Sequence, residues 1–377
     1  MIKLIKKNIL SATFIWFALF LSIRLISGGD FSHFIVAGSD FFNFDSFEHS
    51  IIIKDGQGYD GQFFYRYALN PFSIEYPGIY VDLPPYRHQR IIYPLLSWLI
   101  SFNNPDWVPA SLVIINLLAL FGCSTFLLKI FKTYNINSSN LIVLILLPGI
   151  YFSTSRDLSE VVELFFLLSS FYYLQSNKIK LFLVFSILGL LTRETGIVLL
   201  FPMMAWHAYK NFKNQTIKSG LVFLPIGIVL IWKLVLNEIY PNYAVPKQNL
   251  GLPFVGVINS LILNAQPVTL KDWIESIVWL IHLTWTFSLF VKTVSTIITK
   301  RDWFINPLPL MIILGIAFST IFSSSIYIDD WAFVRILSSL CLFCLIYLIK
   351  YNNLPKLLLY SAFPIFIFTI LRLWIRV

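Results

Sequence analysis

The chain has 377 residues, of which 57% are hydrophobic and 12% charged, with a mean hydropathy of +0.75 and a formal net charge of +9. A soluble domain carries about 25% charged residues, so this composition excludes an ordinary soluble enzyme. The apolar runs are about 20 residues long and lack the period-two alternation of barrel strands, which leaves α-helices as the spanning elements. We therefore predict an all-α polytopic membrane protein with a single transmembrane domain, residues 1–377.

Hydropathy predicts about eleven transmembrane helices. The basic start and the missing small-residue cleavage site favour a retained first helix over a signal peptide. The apolar piece 91–102 is too short to span and is expected to lie in the interface or to re-enter. A long first loop, 29–107, follows the first helix, and a second polar loop covers 239–271. The predicted spans are 8–28, 108–131, 138–152, 158–175, 178–192, 194–209, 219–237, 272–291, 304–324, 331–350 and 354–373.

Positive charge is concentrated in one set of alternating loops. By the positive-inside rule these loops face the cytoplasm, which places the N-terminus inside and both polar loops outside, in what we expect is a bacterial inner (plasma) membrane. A basic rim that binds anionic membrane lipid explains the net charge without nucleic acid as a partner. Nearly all Asp and Glu residues lie on the other side, Asp302 being the exception. The basic loop residues are Lys3, Lys6, Lys7, Lys129, Lys132, Lys178, Lys180, Lys210, Lys213, Lys218, Lys292, Lys300, Arg301, Lys350 and Lys356.

The first loop contains the segment YDGQFFYR, whose acid is the main catalytic candidate. Gly58 and Gly61 flank Asp60 and allow the backbone to turn tightly and a ligand to approach. A carboxylate at this position can act as a general base toward a hydroxyl group. The alternative is a structural turn closed by an Asx-type hydrogen bond. The neighbours that offer flat or polar surfaces for a sugar ring are Tyr59, Gln62, Tyr65 and Arg66.

Four arginines lie near predicted membrane boundaries on the same side: Arg87, Arg90, Arg193 and Arg335. Arginine near hydrocarbon is costly unless it meets an anion, and its planar fork holds a phosphate in a bidentate way that lysine does not match. The alternatives for each are an internal ion pair or a side chain that extends to the membrane interface. Two such pairs are suggested by proximity in sequence: Arg193 with Glu194, and Arg335 with Asp330.

A further acidic cluster follows Arg156. Glu160 and Glu163 have i, i+3 spacing and share a helix face just inside the membrane, where ionisable residues are functional candidates. The alternative is a helix start, capped by Asp157 or Ser159, that favours acids in its first turn. We include Arg156, Glu160, Glu194 and Asp330 among the binding candidates.

No cofactor or metal is predicted. The five histidines lack metal-ligand spacing, and neither a Walker loop nor a dinucleotide fingerprint is present. The cysteines lie in predicted helices and offer no disulfide framework. They are Cys123, Cys341 and Cys344.

The order of these segments resembles a known superfamily. An N-terminal helix, a long outer first loop with a key Asp and about ten further helices resemble the GT-C superfamily of membrane glycosyltransferases. YDGQFFYRYALNPF followed by PYRHQRIIYPLLSWL is more closely similar to an uncharacterised bacterial integral-membrane family with YDGQ-YYR and YR-QRI-YPLL-W segments, grouped with GT-C-like surface-glycopolymer proteins. The motif match covers about 40 residues, and the LTRE element at 191–194 matches as well.

This resemblance implies transfer of a sugar from a polyprenyl-phosphate donor, with inversion, to a glycan, lipid or protein acceptor on the extracytoplasmic face. The catalytic acid carried over from the family is Asp60, with Asp40 as the reserve candidate. No metal is expected, since arginine can neutralise the lipid phosphate. Two alternatives remain open: a non-catalytic transporter or flippase of a lipid-linked glycan, and a structural membrane subunit of a glycopolymer assembly complex.

Overall fold

The computed structural model describes residues 2–42, 51–74, 81–211, 220–243, 249–303 and 305–375, with side chains from residue 9 to residue 373 of these ranges. The first half of the described chain contains α1 (Ile2–Gly28), α2 (Gly61–Leu69), α3 (Pro84–His88), α4 (Ile92–Ile100), α5 (Val108–Thr133), α6 (Ile142–Ile145), α7 (Pro148–Thr154), α8 (Glu160–Gln175) and α9 (Ile179–Thr192). The second half contains α10 (Ile197–Asn211), α11 (Leu224–Ile239), α12 (Val255–Asn264), α13 (Leu270–Lys300), α14 (Leu308–Ser319), α15 (Ser324–Tyr327), α16 (Asp330–Ile336), α17 (Ser338–Lys350) and α18 (Lys356–Ile375).

Five helices in the described ranges are long and apolar enough to cross a membrane. They are Ile9–Gly28, Pro105–Thr133, Leu221–Ile239, Leu270–Lys300 and Lys356–Leu373. α16 and α17 form a sixth span if they are taken as one helix, bent by 54° at Leu337. The all-α membrane class is therefore confirmed, but the predicted count of eleven spans is not, because the other predicted spans are shorter or interrupted helices.

The predicted span 138–152 shows how such an interruption arises. The structure breaks it into a 3₁₀ turn, Ser138–Leu141, and the short helices α6 and α7. Leu147 precedes Pro148 and has extended backbone angles, φ −79° and ψ 109°. The ring of a proline disfavours helical angles in the residue before it, so the helix stops and restarts at this point.

The core is built around α17, whose residues from Ser338 to Ile349 are all buried. A helix that is apolar and covered on every side belongs in the interior of a helix assembly. α8 packs between α5 and α9, and α7 packs across α16. A Cβ at Gly149 of α7 would lie 2.0 Å from the Ser338 hydroxyl and 2.7 Å from the Cα of Arg335, so the missing side chain brings α7 close to the α16–α17 bend.

The first loop is folded onto the helices. Its two-residue strands β1 (Ala37–Gly38) and β2 (Ile53–Lys54) pair in parallel, with Ala37 opposite Ile53. α2 and α4 pack together and against α5, where Phe64 meets Tyr93 edge to face at 5.3 Å. The apolar piece predicted to lie in the interface or to re-enter is therefore α4, packed against other helices.

The second loop is also partly ordered into the fold. It contains α12, and Leu250 forms an antiparallel bridge with Phe322 that attaches the loop beside α14 and α15. Residues 244–248 of the predicted loop lie outside the described residues.

Candidate functional site

Asp60 is positioned by the packing of α2 against the turn between α7 and α8. It is the N-cap residue of α2, with φ −57° and ψ −26°, and its side chain makes no capping hydrogen bond. A Cβ on the next residue, Gly61, would lie 2.2 Å from the carbonyl oxygen of Arg156. Only glycine permits this backbone contact, which holds Asp60 against the turn between α7 and α8. The Asp60 side chain therefore does not form the Asx-type hydrogen bond that the structural alternative requires.

Its carboxylate instead lies between two arginines. Oδ1 is 3.1 Å from Nη1 of Arg87, and Oδ2 accepts a hydrogen bond of 3.0 Å from Nη2 of Arg335. Burial by itself raises the pKa of Asp60, but the charges of Arg87 and Arg335 outweigh burial and hold the pKa well below its usual value. In this state the group is a charged ion-pair partner and a weak base.

Each of these arginines has a second carboxylate. Arg87 donates from Nε and Nη2 to Asp82, both at 2.9 Å, and Arg335 donates from Nη1 to Glu160 at 3.0 Å. Glu160 also pairs with Arg193, and Glu163 lies 4.0 Å from the same arginine. Ion pairs of alternating sign therefore connect the first loop to α8, α9 and α16.

Arg90 and Glu194 form a separate ion pair. Arg90 donates to both oxygens of Glu194, at 2.8 and 3.0 Å, and to the hydroxyl of Tyr86 at 2.6 Å. Among the described residues, the two arginines for which the sequence suggested a partner pair with other acids. Arg193 pairs with Glu160 instead of Glu194, and Arg335 pairs with Asp60 and Glu160 instead of Asp330.

These side chains surround one cavity of about 840 Å³. The size falls within the range of small-molecule and cofactor sites. The apolar part of the lining comes from α9, α10, α11, α14, α15, α16 and the loops between them. The charged and polar lining residues are Asp60, Asp82, Tyr86, Arg87, Gln89, Arg90, Arg193, Glu194, Thr195, Lys233, Asn249, Ser325 and Arg335.

The cavity brings together six of the residues named from the sequence: Asp60, Arg87, Arg90, Arg193, Glu194 and Arg335. They come from positions as far apart as 60 and 335 in the chain. Glu160 lies behind the lining and joins two of the arginines. The charged groups of the first loop and of the later helices therefore meet at a single place.

Other predicted residues support the site from outside the lining. Tyr59 packs its ring against Arg156 at 4.5 Å and Arg335 at 5.2 Å, and the opposite side of Arg156 faces Trp331 at 3.5 Å. Gln62 accepts from the Gly38 amide at 3.0 Å and donates to the Gln57 carbonyl at 2.7 Å. These contacts fix the loop that carries Asp60.

Four predicted residues lie away from the cavity. Tyr65 and Arg66 are fully buried, and Arg66 donates to the Phe41 carbonyl at 3.1 Å. Asp40 is exposed outside the lining. Asp330 is buried and bonded to His282 at 2.9 Å and to Arg372 at 2.6 Å.

The lining residues that sequence reasoning did not select include Tyr86, Asn249 and Lys233. Tyr86 stacks against Arg90, with 4.3 Å between the guanidinium carbon and the ring centre. Asn249 reaches the cavity because the second loop is attached beside α14. A signal for Lys233 was present, since it is a lone cation within the apolar run of residues 219–237.

Within the described residues, no group of three or more His, Cys, Asp or Glu side chains has the arrangement of a metal site. Comparison of the chain with protein-family models, with curated proteins and with solved structures finds no match in any of the three. The site therefore has to be interpreted from its own chemistry.

Proposed function

We propose that this protein is a membrane glycosyltransferase that moves a sugar from a polyprenyl-phosphate donor to a glycan, lipid or protein acceptor on the extracytoplasmic face. The observation that carries this proposal is the cavity, whose lining combines three carboxylates, four arginines and one lysine with apolar side chains within a membrane protein. A substrate with a phosphate and a long hydrocarbon chain matches this lining, because the phosphate pairs with the cations and the chain contacts the apolar side chains. The sequence resemblance to GT-C enzymes supports the same reaction.

The arginines supply what a departing phosphate requires. Guanidinium groups aimed at the position where negative charge develops stabilise the transition state and need little reorganisation, because the protein already holds them in place. Here each is fixed by ion pairs and rings, such as Arg90 between Glu194 and Tyr86. In our proposal Arg87 and Arg335, which already flank Asp60, bind the single phosphate that joins the polyprenyl chain to the sugar.

The reaction is a single displacement. The acceptor hydroxyl oxygen attacks the anomeric carbon of the donor sugar from the face opposite the phosphate, and the bond between that carbon and the phosphate oxygen breaks. The electron pair leaves with polyprenyl phosphate, and the hydroxyl proton passes to the Asp60 carboxylate. The products are the glycosylated acceptor, with inverted configuration, and polyprenyl phosphate.

Donor binding also resolves the low basicity of Asp60. A general base works best when its pKa approaches the working pH, whereas the two arginines lower the pKa of Asp60. A phosphate that forms ion pairs with Arg87 and Arg335 weakens their attraction to the Asp60 carboxylate and adds a negative charge nearby. The pKa of Asp60 then rises at the moment when the acceptor hydroxyl has to lose its proton.

The test is sugar transfer by the purified protein in lipid nanodiscs. A panel of polyprenyl-phosphate sugars labelled in the sugar is supplied together with a membrane extract as the source of acceptor. We expect release of polyprenyl phosphate and appearance of label in acceptor at equal amounts, and loss of both in the double variant Arg87→Gln/Arg335→Gln. Thermal unfolding of each variant in detergent verifies that it is folded.

Two outcomes contradict the proposal. Donor that binds but is never consumed with any panel member favours the transporter or flippase alternative, which a flipping assay in proteoliposomes tests directly. Transfer that persists in the double arginine variant at the wild-type rate removes the cavity from the reaction.

A further inference from the structure

We propose that Lys233 is a phosphate-recognition residue at the open side of the cavity, and that the face of α11 beside it holds the hydrocarbon chain of the same lipid. The inference rests on the proposed function for the chemical class of the ligand, an isoprenoid lipid phosphate. It adds a binding residue and a path for the lipid tail that were not predicted from the sequence motifs or from the resemblance to GT-C enzymes.

Lys233 differs from the other cations of the cavity because it has no carboxylate partner among the described residues. The arginines that line the cavity are all paired with acids between 2.8 and 4.0 Å away, apart from a shorter Arg193–Glu160 contact. The one acid on α11 is Glu238, five positions further on, which does not share a helix face with Lys233. Among the described residues, an incoming phosphate therefore meets a cation without a carboxylate partner at Lys233 and paired arginines elsewhere in the cavity.

Lys233 is an exposed lysine in a candidate membrane span. It lies about 9 Å from the last residue of α11, Ile239, at about 1.5 Å per residue. At this depth the side chain can extend toward the interface, so it is the position of Lys233 in the cavity lining that makes it a candidate for binding an anion. The cavity that Lys233 lines provides the polar surroundings and the space for an anionic ligand.

The residues on the same face of α11 indicate what is attached to the anion. Ile226, Val229 and Leu230 also line the cavity, at seven, four and three positions before Lys233. This spacing defines one helix face, so an apolar strip of about two turns, roughly 10 Å long, leads away from the lysine. Leu230 is 56% exposed whereas Val229 is buried, so the strip is exposed at Leu230.

Other parts of the lining are also apolar. Phe318, Phe322 and Ile326 belong to the same cavity. A hydrocarbon chain that leaves the phosphate along α11 therefore has apolar side chains of the cavity to contact. An amphiphile with an anionic head at Lys233 and a chain along α11 fits this arrangement, whereas free phosphate leaves the apolar strip unused.

The experiment measures binding to the full-length protein in phosphatidylcholine nanodiscs with four probes: polyprenyl phosphate, polyprenol, phosphatidylglycerol and inorganic phosphate. We expect the wild type to bind polyprenyl phosphate most tightly. Lys233→Ala removes one charge-assisted hydrogen bond and weakens that binding about tenfold, while polyprenol binding changes little. Lys233→Arg keeps the charge and most of the affinity.

The matched control is Lys271→Ala, which removes an exposed lysine from another spanning helix, outside the cavity. We expect wild-type affinity from it. Equal affinity of wild type and Lys233→Ala for polyprenyl phosphate overturns the inference, as does equally tight binding of phosphatidylglycerol or of inorganic phosphate, or failure of the wild type to bind polyprenyl phosphate.

The inference and the proposed function fail in different ways. Sugar transfer by the wild type together with unchanged binding in Lys233→Ala contradicts only the role of Lys233. Binding of polyprenyl phosphate that depends on Lys233, without transfer of sugar from any donor, contradicts only the enzymatic activity.

Discussion

Replacement of Asp60 by Asn separates the roles of its carboxylate. The substitution is nearly isosteric and removes one negative charge from between Arg87 and Arg335. Each arginine keeps a second partner, Asp82 or Glu160, so we expect the variant to fold and to insert. Loss of a general base lowers turnover by ~10²–10⁴-fold.

The same substitution is expected to tighten the binding of the lipid phosphate product. Unit charges at about 4 Å interact by about 4 kcal/mol at an effective dielectric constant of 20, and in the wild type a phosphate has to displace the carboxylate from both guanidinium groups. The Asp60 side chain is 25% exposed and both arginines keep another acid, so we reduce this gain to about 1.4 kcal/mol, or about tenfold in affinity.

The assay pairs both measurements on one preparation: polyprenyl phosphate binding in nanodiscs, and initial transfer rate at saturating donor. We expect slower transfer together with tighter binding, a combination that a structural role does not produce. Normal transfer and unchanged affinity in Asp60→Asn would refute the reasoning. If transfer is instead lost in Asp40→Asn, the catalytic role moves to Asp40.

Three further substitutions test the site and the topology. Gly61→Ala places a Cβ 2.2 Å from the Arg156 carbonyl oxygen, and we expect a lower melting temperature and at least a tenfold loss of transfer, measured by thermal unfolding and initial rates. Arg193→Lys keeps the charge but loses the planar fork, so the KM for donor should rise severalfold; an unchanged KM would remove Arg193 from donor binding. Under the predicted orientation, a cysteine in place of Gln57 reacts with a membrane-impermeant thiol reagent in intact cells, and one in place of Asn211 does not; the reverse pattern would invert the topology.

The sequence was sufficient to predict the all-α membrane class and to select six of the residues that line the cavity. Arginine near hydrocarbon is costly, so Arg87, Arg90, Arg193 and Arg335 stood out without knowledge of their neighbours. Their partners could not be read from sequence distance. Arg335 pairs with residues 175 and 275 positions away, Glu160 and Asp60, because the packing of α2, α7 and α16 decides which acid each arginine reaches.

Other features depend on packing that a linear pattern does not reveal. The aromatic and polar side chains of YDGQFFYR were predicted to face a sugar, but Gln62, Tyr65 and Arg66 are directed into the loop itself. The predicted count of eleven spans is not confirmed. The described residues contain five helices long and apolar enough to cross a membrane, or six with the bent pair, and apolar content does not distinguish a spanning helix from short pieces such as α6 and α7. The role of Lys233 depends on the cavity around it, which only the folded chain defines.

The most direct measurement of the central claim is a structure of the full-length protein determined in nanodiscs with polyprenyl phosphate. The account predicts density for the phosphate within hydrogen-bond distance of Arg87, Arg335 or Lys233, and for the chain along Leu230 and Val229 of α11. In that structure the Asp60 carboxylate is separated from at least one of its two arginines. Lipid phosphate bound elsewhere on the protein, with this cavity empty and the Asp60 ion pairs intact, would contradict the account.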